Sequence, residues 1–388
     1  MKKIIALLLS AALLIAVAAI PGSAAAKDEA VLKFKDDGTF RIMQFADIQD
    51  GMIVKSGTTM FIRDSIEAYE PDLVVLTGDN ISGGSCTTNG GALSSINCFM
   101  SIFEDYGVPV AIVFGNHDTE GLAQKEAQIA MYELYDCFVG CEGEDLTGCG
   151  NYNLPILSSD GSKVAFNLWM IDSLTYNEKV SADCRDGYYE NDLGGYACVH
   201  KDQIDWYVET SNELKAENGG NVVPSLMFQH IVVPEIFDAL DKDADGKWIL
   251  PEGAVGTMNE DPCPPQYTNG QFDAVVNQGD VLAMFFGHDH KNTYVIPHKG
   301  VDLVCTPGCG FGSYGDETRG TRIIDLNESD LSTYETEVIK WRDFYDADNT
   351  PKYDYLYTYS GNEFEFTEQV VAFFKYVFEV LKENFVIC

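Results

Sequence analysis

The chain has 388 residues, 25 basic and 61 acidic side chains and a formal charge of −36, with 46% hydrophobic residues, enough to pack a large core. That apolar content excludes a disordered chain, and a field of that sign repels nucleic acid and anionic membrane surfaces. Lys2 and Lys3 precede an almost unbroken apolar run from Ile4 to Ile20, which Pro21, Gly22 and Ser23 break. Ala24 and Ala26 then form the small-x-small pattern of a secretory leader, so cleavage after Ala26 is expected. The run approaches bilayer-spanning length, and a retained anchor helix is the alternative. No cysteine follows the run, which argues against a lipid anchor, and no later stretch is apolar enough to span. The expected product is a soluble, secreted chain (extracellular or periplasmic) of about 360 residues. Losing Lys2 and Lys3 leaves it 23 basic and 61 acidic side chains, a charge of −38.

Short β-branched runs then alternate with helical stretches. Strands are predicted at Phe40 to Ala46, Asp72 to Thr77 and Val108 to Phe114, with helices over Thr59 to Tyr69 and near Asn97 to Tyr106. Further strands are predicted at Lys163 to Ile171, Ser225 to Gln229, Val281 to Phe286 and Val301 to Cys305. Continuous apolar strands between helices indicate sheets covered by helices, an α/β architecture. One domain is expected over residues 27–345, followed over 346–388 by a polar, tyrosine-rich linker and an amphipathic helix. In that helix, apolar residues at 370, 373, 374, 377, 378, 381 and 385 form one wide face, which either docks on the domain or pairs with a partner. Eleven cysteines in an exported chain read as several disulfides, with Cys86–Cys98 and Cys184–Cys198 as local candidates and Cys388 the natural odd one out.

The predicted strand ends carry metal-ligand residue types in order. Asp47-Ile48-Gln49 follows the first strand, Gly78-Asp79-Asn80 the second and Gly115-Asn116-His117-Asp118 the third. Gln229-His230 ends the Ser225 strand, and Gly287-His288-Asp289-His290 follows the Val281 strand. Strand C-termini are where α/β sheets place their sites. Of only six histidines, four lie at these ends. Carboxylate, amide oxygen and imidazole together suit a pair of divalent or trivalent ions such as Mn, Fe or Zn.

This ordered set resembles the calcineurin-like metallophosphoesterases, whose pattern is D-x-H, G-D, G-N-H-[D/E], H and G-H-x-H. The resemblance runs from about Leu32 to Leu326. HIVVPE at 230–235, GHDHKNTY at 287–294 and PGCGFGSYG at 307–315 also resemble the purple-acid-phosphatase-like branch. It implies a four-layer α/β/β/α sandwich and a two-metal, metal-hydroxide hydrolysis of a phosphate ester, whether a small molecule or a phosphorylated polymer. An anionic ester approaches so acidic a chain only where bound cations reverse the local potential. By the resemblance, Asp47, Asp79 and His290 hold one metal, and Asp79 bridges to a second held also by Asn116, His230 and His288. Two such ions sit about 3.5–4 Å apart. His117 is then the general acid, with Asp118 orienting its ring. Asp289 is either a carboxylate behind the metal histidines, accepting a ring N–H, or a surface group. Gln49 stands where the family usually has histidine, and its amide oxygen is a weaker, harder ligand. That departure implies a looser first site and need for added metal. It also keeps open a catalytically degenerate relative that binds metal without turnover.

A second pattern lies at 241–252. Asp241, Asp243, Asp245 and Glu252 occupy positions 1, 3, 5 and 12 of an EF-hand calcium loop, with Gly246 at position 6. The readings here are a structural calcium site and an acidic turn, and Pro251 and Gly253 weigh against a following helix. Calcium with the apolar tail also admits a calcium-ordered interaction protein.

Overall fold

The computed structural model describes residues 31–345 apart from 144 and 177–194. The expected leader, the 346–388 tail, Cys184 and Cys388 lie outside them. Among the described residues, eleven strands form two sheets and two more a hairpin: β1 Thr39–Phe45, β2 Leu73–Thr77, β3 Val110–Val113, β4 Tyr152–Leu157, β5 Val164–Met170, β6 Ser225–Phe228, β7 Asp241–Lys242, β8 Trp248–Ile249, β9 Val281–Phe286, β10 Val295–His298, β11 Val301–Cys305, β12 Gly320–Asn327 and β13 Glu335–Lys340. The five-stranded sheet runs β13-β12-β1-β2-β3 and the six-stranded sheet β10-β11-β9-β6-β5-β4. β1, β2 and β3 are mutually parallel, as are β5, β6, β9 and β11. Their C-terminal ends therefore share a rim within each sheet.

The apolar strands read as continuous runs because both of their faces are covered. On β1, Phe40 and Ile42 face the second sheet, while Met43 and Phe45 face outward. The same period of two splits Leu73 and Val75 from Val74 and Leu76. From the other sheet, Phe166, Leu168, Leu226, Phe228, Ala283 and Phe285 complete the layer between the sheets. The helices Ser56–Tyr69, Asn89–Tyr106 and Lys125–Tyr132 cover the outer face of the first sheet through Phe61, Ile96, Phe99, Phe103 and Ile129. Lys201–Glu217 and Gln271–Gln278 cover the second through Ile204, Tyr207, Phe272 and Val275. Helix, sheet, sheet and helix make the expected four-layer sandwich.

Several elements depart from the sequence reading. The helix expected near Asn97 starts at Asn89, where Thr88 accepts a hydrogen bond from Gly91 N and caps it. Gly90 and Gly91 had hidden that first turn. Strands β4, β10, β12 and β13 were not foreseen. Cys86 and Cys98 are not joined. Cys86 is buried with its thiol toward Asp50 O, while Cys98 sits half-buried on the neighbouring helix. Among the described residues, no helix is long and apolar enough to cross a membrane.

The 241–252 segment is not a helix-flanked EF-hand. Residues 241–249 form a β-hairpin, with Asp241 paired to Ile249 and Lys242 to Trp248. Asp243 Oδ1 accepts from Asp245 N and Lys247 N, so the carboxylate closes a turn. Asp241, Asp243, Asp245 and Glu252 are all exposed, and no helix follows. Trp248 instead packs on Phe237 and lies 3.9 Å under the Lys242 ammonium.

Candidate metal centre

Each strand-end motif arrives at the common rim. Asp47 and Gln49 follow β1, Asp79 follows β2, Asn116 and His117 follow β3, His230 follows β6, and His288 and His290 follow β9. The two sheets are tied there by Gln44 Nε2 donating to Phe286 O at 3.2 Å and His288 N donating to Asp47 Oδ2 at 3.0 Å. To aim side chains into one volume the backbone takes left-handed conformations at four non-glycine residues: Asp47 (φ 51°), Gln49 (φ 38°), Asp79 (φ 48°) and His288 (φ 70°). Such residues cost about 1–3 kcal/mol each and persist only where packing over-determines them. The motif glycines allow the close approach. A Cβ at Gly115 would lie 2.3 Å from Asp79 Oδ1, and one at Gly287 would lie 2.8 Å from Asp47 Oδ2.

Two buried groups converge. Asp79, His230 and His288 place ligand atoms within 4.8 Å of one another, as do Asp47, Asp79 and His290, so Asp79 is common to both. His230 Nε2 lies 3.2 Å from Asp79 Oδ2, and His290 Nε2 lies 3.3 Å from Asp47 Oδ1. The other ring nitrogens are committed. His230 Nδ1 donates to Thr77 O and His290 Nδ1 to Tyr314 O, both at 2.9 Å. A carbonyl only accepts, so each ring keeps Nε2 for the centre. Tyr314 also stacks on His290 with ring centroids 4.1 Å apart.

The donor set fits a pair of cations. Gln49 Oε1 and Asn116 Oδ1 are buried with no hydrogen-bond partner, and Asp47 Oδ1, Asp79 Oδ2 and His230 Nε2, also buried, meet only one another and His290 Nε2. Buried polar atoms are nearly always paired, and buried acceptors that meet nothing but other ligand-type atoms are what cation ligands require. Electrostatics agree. Burial would push the Asp79 carboxyl up, but the His230 imidazole beside it outweighs this and holds it below the usual carboxylate range. Burial would lower His230, but Asp79 holds it up. Burial and His230 together push His288 down to about 3, leaving it neutral and able to bind metal.

His117 stands at the edge of the centre, its side chain 34% exposed and its backbone N donating to Asp79 Oδ1 at 2.7 Å. Asp118 does not orient its ring. Both Asp118 oxygens point back into the fold and accept from Ile81 N and Gly115 N. His117 Nδ1 instead meets Glu120 Oε1 at 2.8 Å. The signal in the sequence is the acidic side chain three residues on, in GNHDTEG, which the motif's adjacent aspartate masks. Asp289 is no surface group. It is buried, Oδ1 accepts from Cys263 N, and burial followed by Glu260 pushes its carboxyl well up. It accepts no ring N–H from His230 or His290, whose Nδ1 atoms are bound to carbonyls.

A sequence profile of the calcineurin-like phosphoesterases matches residues 40–292. A protein of Arabidopsis thaliana named probable inactive purple acid phosphatase 14 is 28% identical over 76% of this chain and 77% of its own length. Phosphatase DCR2 of Saccharomyces cerevisiae is 25% identical over 78% of this chain and 54% of its own. Among solved structures, a dimetal phosphatase from Danio rerio aligns with 78% of this chain and 99% of its own at 14% identity and a TM-score of 0.47.

Proposed function

Because the chain belongs to the calcineurin-like phosphoesterase family, a family of hydrolases of phosphoric ester bonds, we propose that it is a secreted, two-metal phosphoesterase with His117 as general acid. Asp47, Gln49, Asp79 and His290 would hold one ion, and Asp79, Asn116, His230 and His288 the other. Ions held there supply Lewis-acid polarisation of the phosphoryl oxygens and a nucleophile at neutral pH. The observation that carries this reading is the convergence of two buried carboxylates and three buried imidazoles in two groups that share Asp79, the ligand atoms of each group within 4.8 Å of one another.

The chain's own residues supply the rest. His117, with Nδ1 on Glu120, keeps Nε2 free at the exposed edge to protonate the leaving oxygen. Thr77 O and Tyr314 O hold the two imidazole planes, so no reorganisation is needed when an ester binds. Secretion is supported by the Ile4 to Ile20 run and Ala24-x-Ala26. N-terminal sequencing of exported protein should begin at Lys27, and a product retaining Met1 in the membrane fraction would reject the cleaved leader.

The functional test is hydrolysis of an aryl phosphate with added manganese by the protein and by Asp79→Asn. Turnover by the parent and loss of at least about 10³-fold in the variant are expected, since Asp79 belongs to both ligand groups and would serve both ions. A degenerate relative is the second reading, favoured by Gln49 in place of histidine and by the inactive naming of the Arabidopsis relative. Absence of turnover in the parent that is restored by Gln49→His would establish it.

A further inference from the structure

Two tyrosines outside every motif close on the centre. Tyr176 and Tyr196 oppose each other across an antiparallel bridge, their rings stacked with centroids 5.4 Å apart. Tyr176 Oη accepts a hydrogen bond from Asn116 Nδ2 at 3.0 Å. The Tyr196 ring stands edge-on to His288, with centroids 4.5 Å apart and planes at 89°. Asn116 follows a strand of one sheet and His288 a strand of the other, so the stacked pair touches both sides of the centre at once.

An asparagine amide has two faces of opposite character, an acceptor oxygen and a two-proton nitrogen. Only the oxygen can hold a cation. Turned by half a revolution, the side chain would present hydrogens instead. Tyr176 engages the nitrogen, and the buried Oδ1 is left without a partner. His288 has the same need for a fixed plane. Its backbone is left-handed at φ 70°, and the His230 ring also packs on it, with centroids 5.0 Å apart. Tyr196 is itself half-buried and Tyr176 41% exposed, so the pair leans from the surface onto the ligands.

We infer that Tyr176 and Tyr196 are positioning residues for the ion site of Asp79, Asn116, His230 and His288, Tyr176 setting the Asn116 amide with its oxygen inward and Tyr196 setting the His288 ring plane. The inference rests on the two-metal reading and deepens it. Partners standing behind metal ligands are typically worth about 10- to 100-fold in metal affinity.

The test is calorimetric titration of metal-stripped protein with manganese, beside Tyr176→Phe, Asn116→Asp and the double variant, with melting temperatures of each. Phe keeps the ring and its stack on Tyr196 but removes the phenol oxygen. Tyr176→Phe should melt as the parent does, keep one ion, and lose about 10-fold or more in affinity for the other. A carboxylate has no amide to orient, so in the Asn116→Asp background the same change should cost less than threefold. A merely structural role would cost the same in both backgrounds, and that result overturns the inference. If the parent binds two ions and Tyr176→Phe binds them equally well, the inference alone falls. If the parent binds fewer than two, the two-metal reading falls and takes the inference with it.

Discussion

At His117 two carboxylates are within reach along the chain, and geometry assigns them different work. Glu120 meets the imidazole at its Nδ1, whereas Asp118 is fully buried and accepts two backbone N–H groups that join the β2 and β3 loops. Burial, followed by the negative charge of Asp79, pushes the Asp118 carboxyl up to about 7. Two variants separate the roles. Asp118→Asn puts an amide against backbone donors and should lower unfolding free energy by about 1–3 kcal/mol. Glu120→Gln should leave the melting temperature unchanged and slow hydrolysis most for esters with poor leaving groups, because those depend on general-acid help. Equal slowing of good and poor leaving groups would remove Glu120 from that role.

Strands matter here through the residues just beyond their C-terminal ends. β1, β2, β3, β6 and β9 all end within two to four residues of a ligand, and left-handed backbone at Asp47, Gln49, Asp79 and His288 turns those residues inward. The 241–252 segment shows the converse. Its acidic spacing is that of a calcium loop, yet Asp243 spends its carboxylate on the turn and the chain returns as β8. Calcium titration should accordingly give the same heat for the parent and for Asp243→Asn. A calcium site lost in the variant would contradict the hairpin.

For the whole molecule the dominant physical fact is its charge of −36. An anionic ester must approach a repulsive field before it reaches the centre, and that repulsion is screened over about 10 Å at 0.1 M salt. KM for a dianionic aryl phosphate should fall about threefold or more as ionic strength rises from low to physiological, with kcat little changed. A KM that rises with salt would mean that the approach is locally electropositive instead.

Helix-covered sheets were legible in the sequence because strand runs apolar on both faces require cover on both faces, whereas the four-layer order came only with the family resemblance; the ligand types were legible because their chemistry is local to each strand end. Asp47, Asp79, His230, His288 and His290 could be named from their motifs and do converge. What distance along the chain hides, only the tertiary structure decided. Tyr176 reaches Asn116 from 60 residues away. Tyr314 lends its carbonyl to His290 from 24 residues away. The choice of Glu120 over Asp118 turns on side-chain direction in a tight loop, and the hairpin over the calcium loop on which backbone groups Asp243 can satisfy. Motif spacing records what a residue is able to bind, and packing determines which partner it is given.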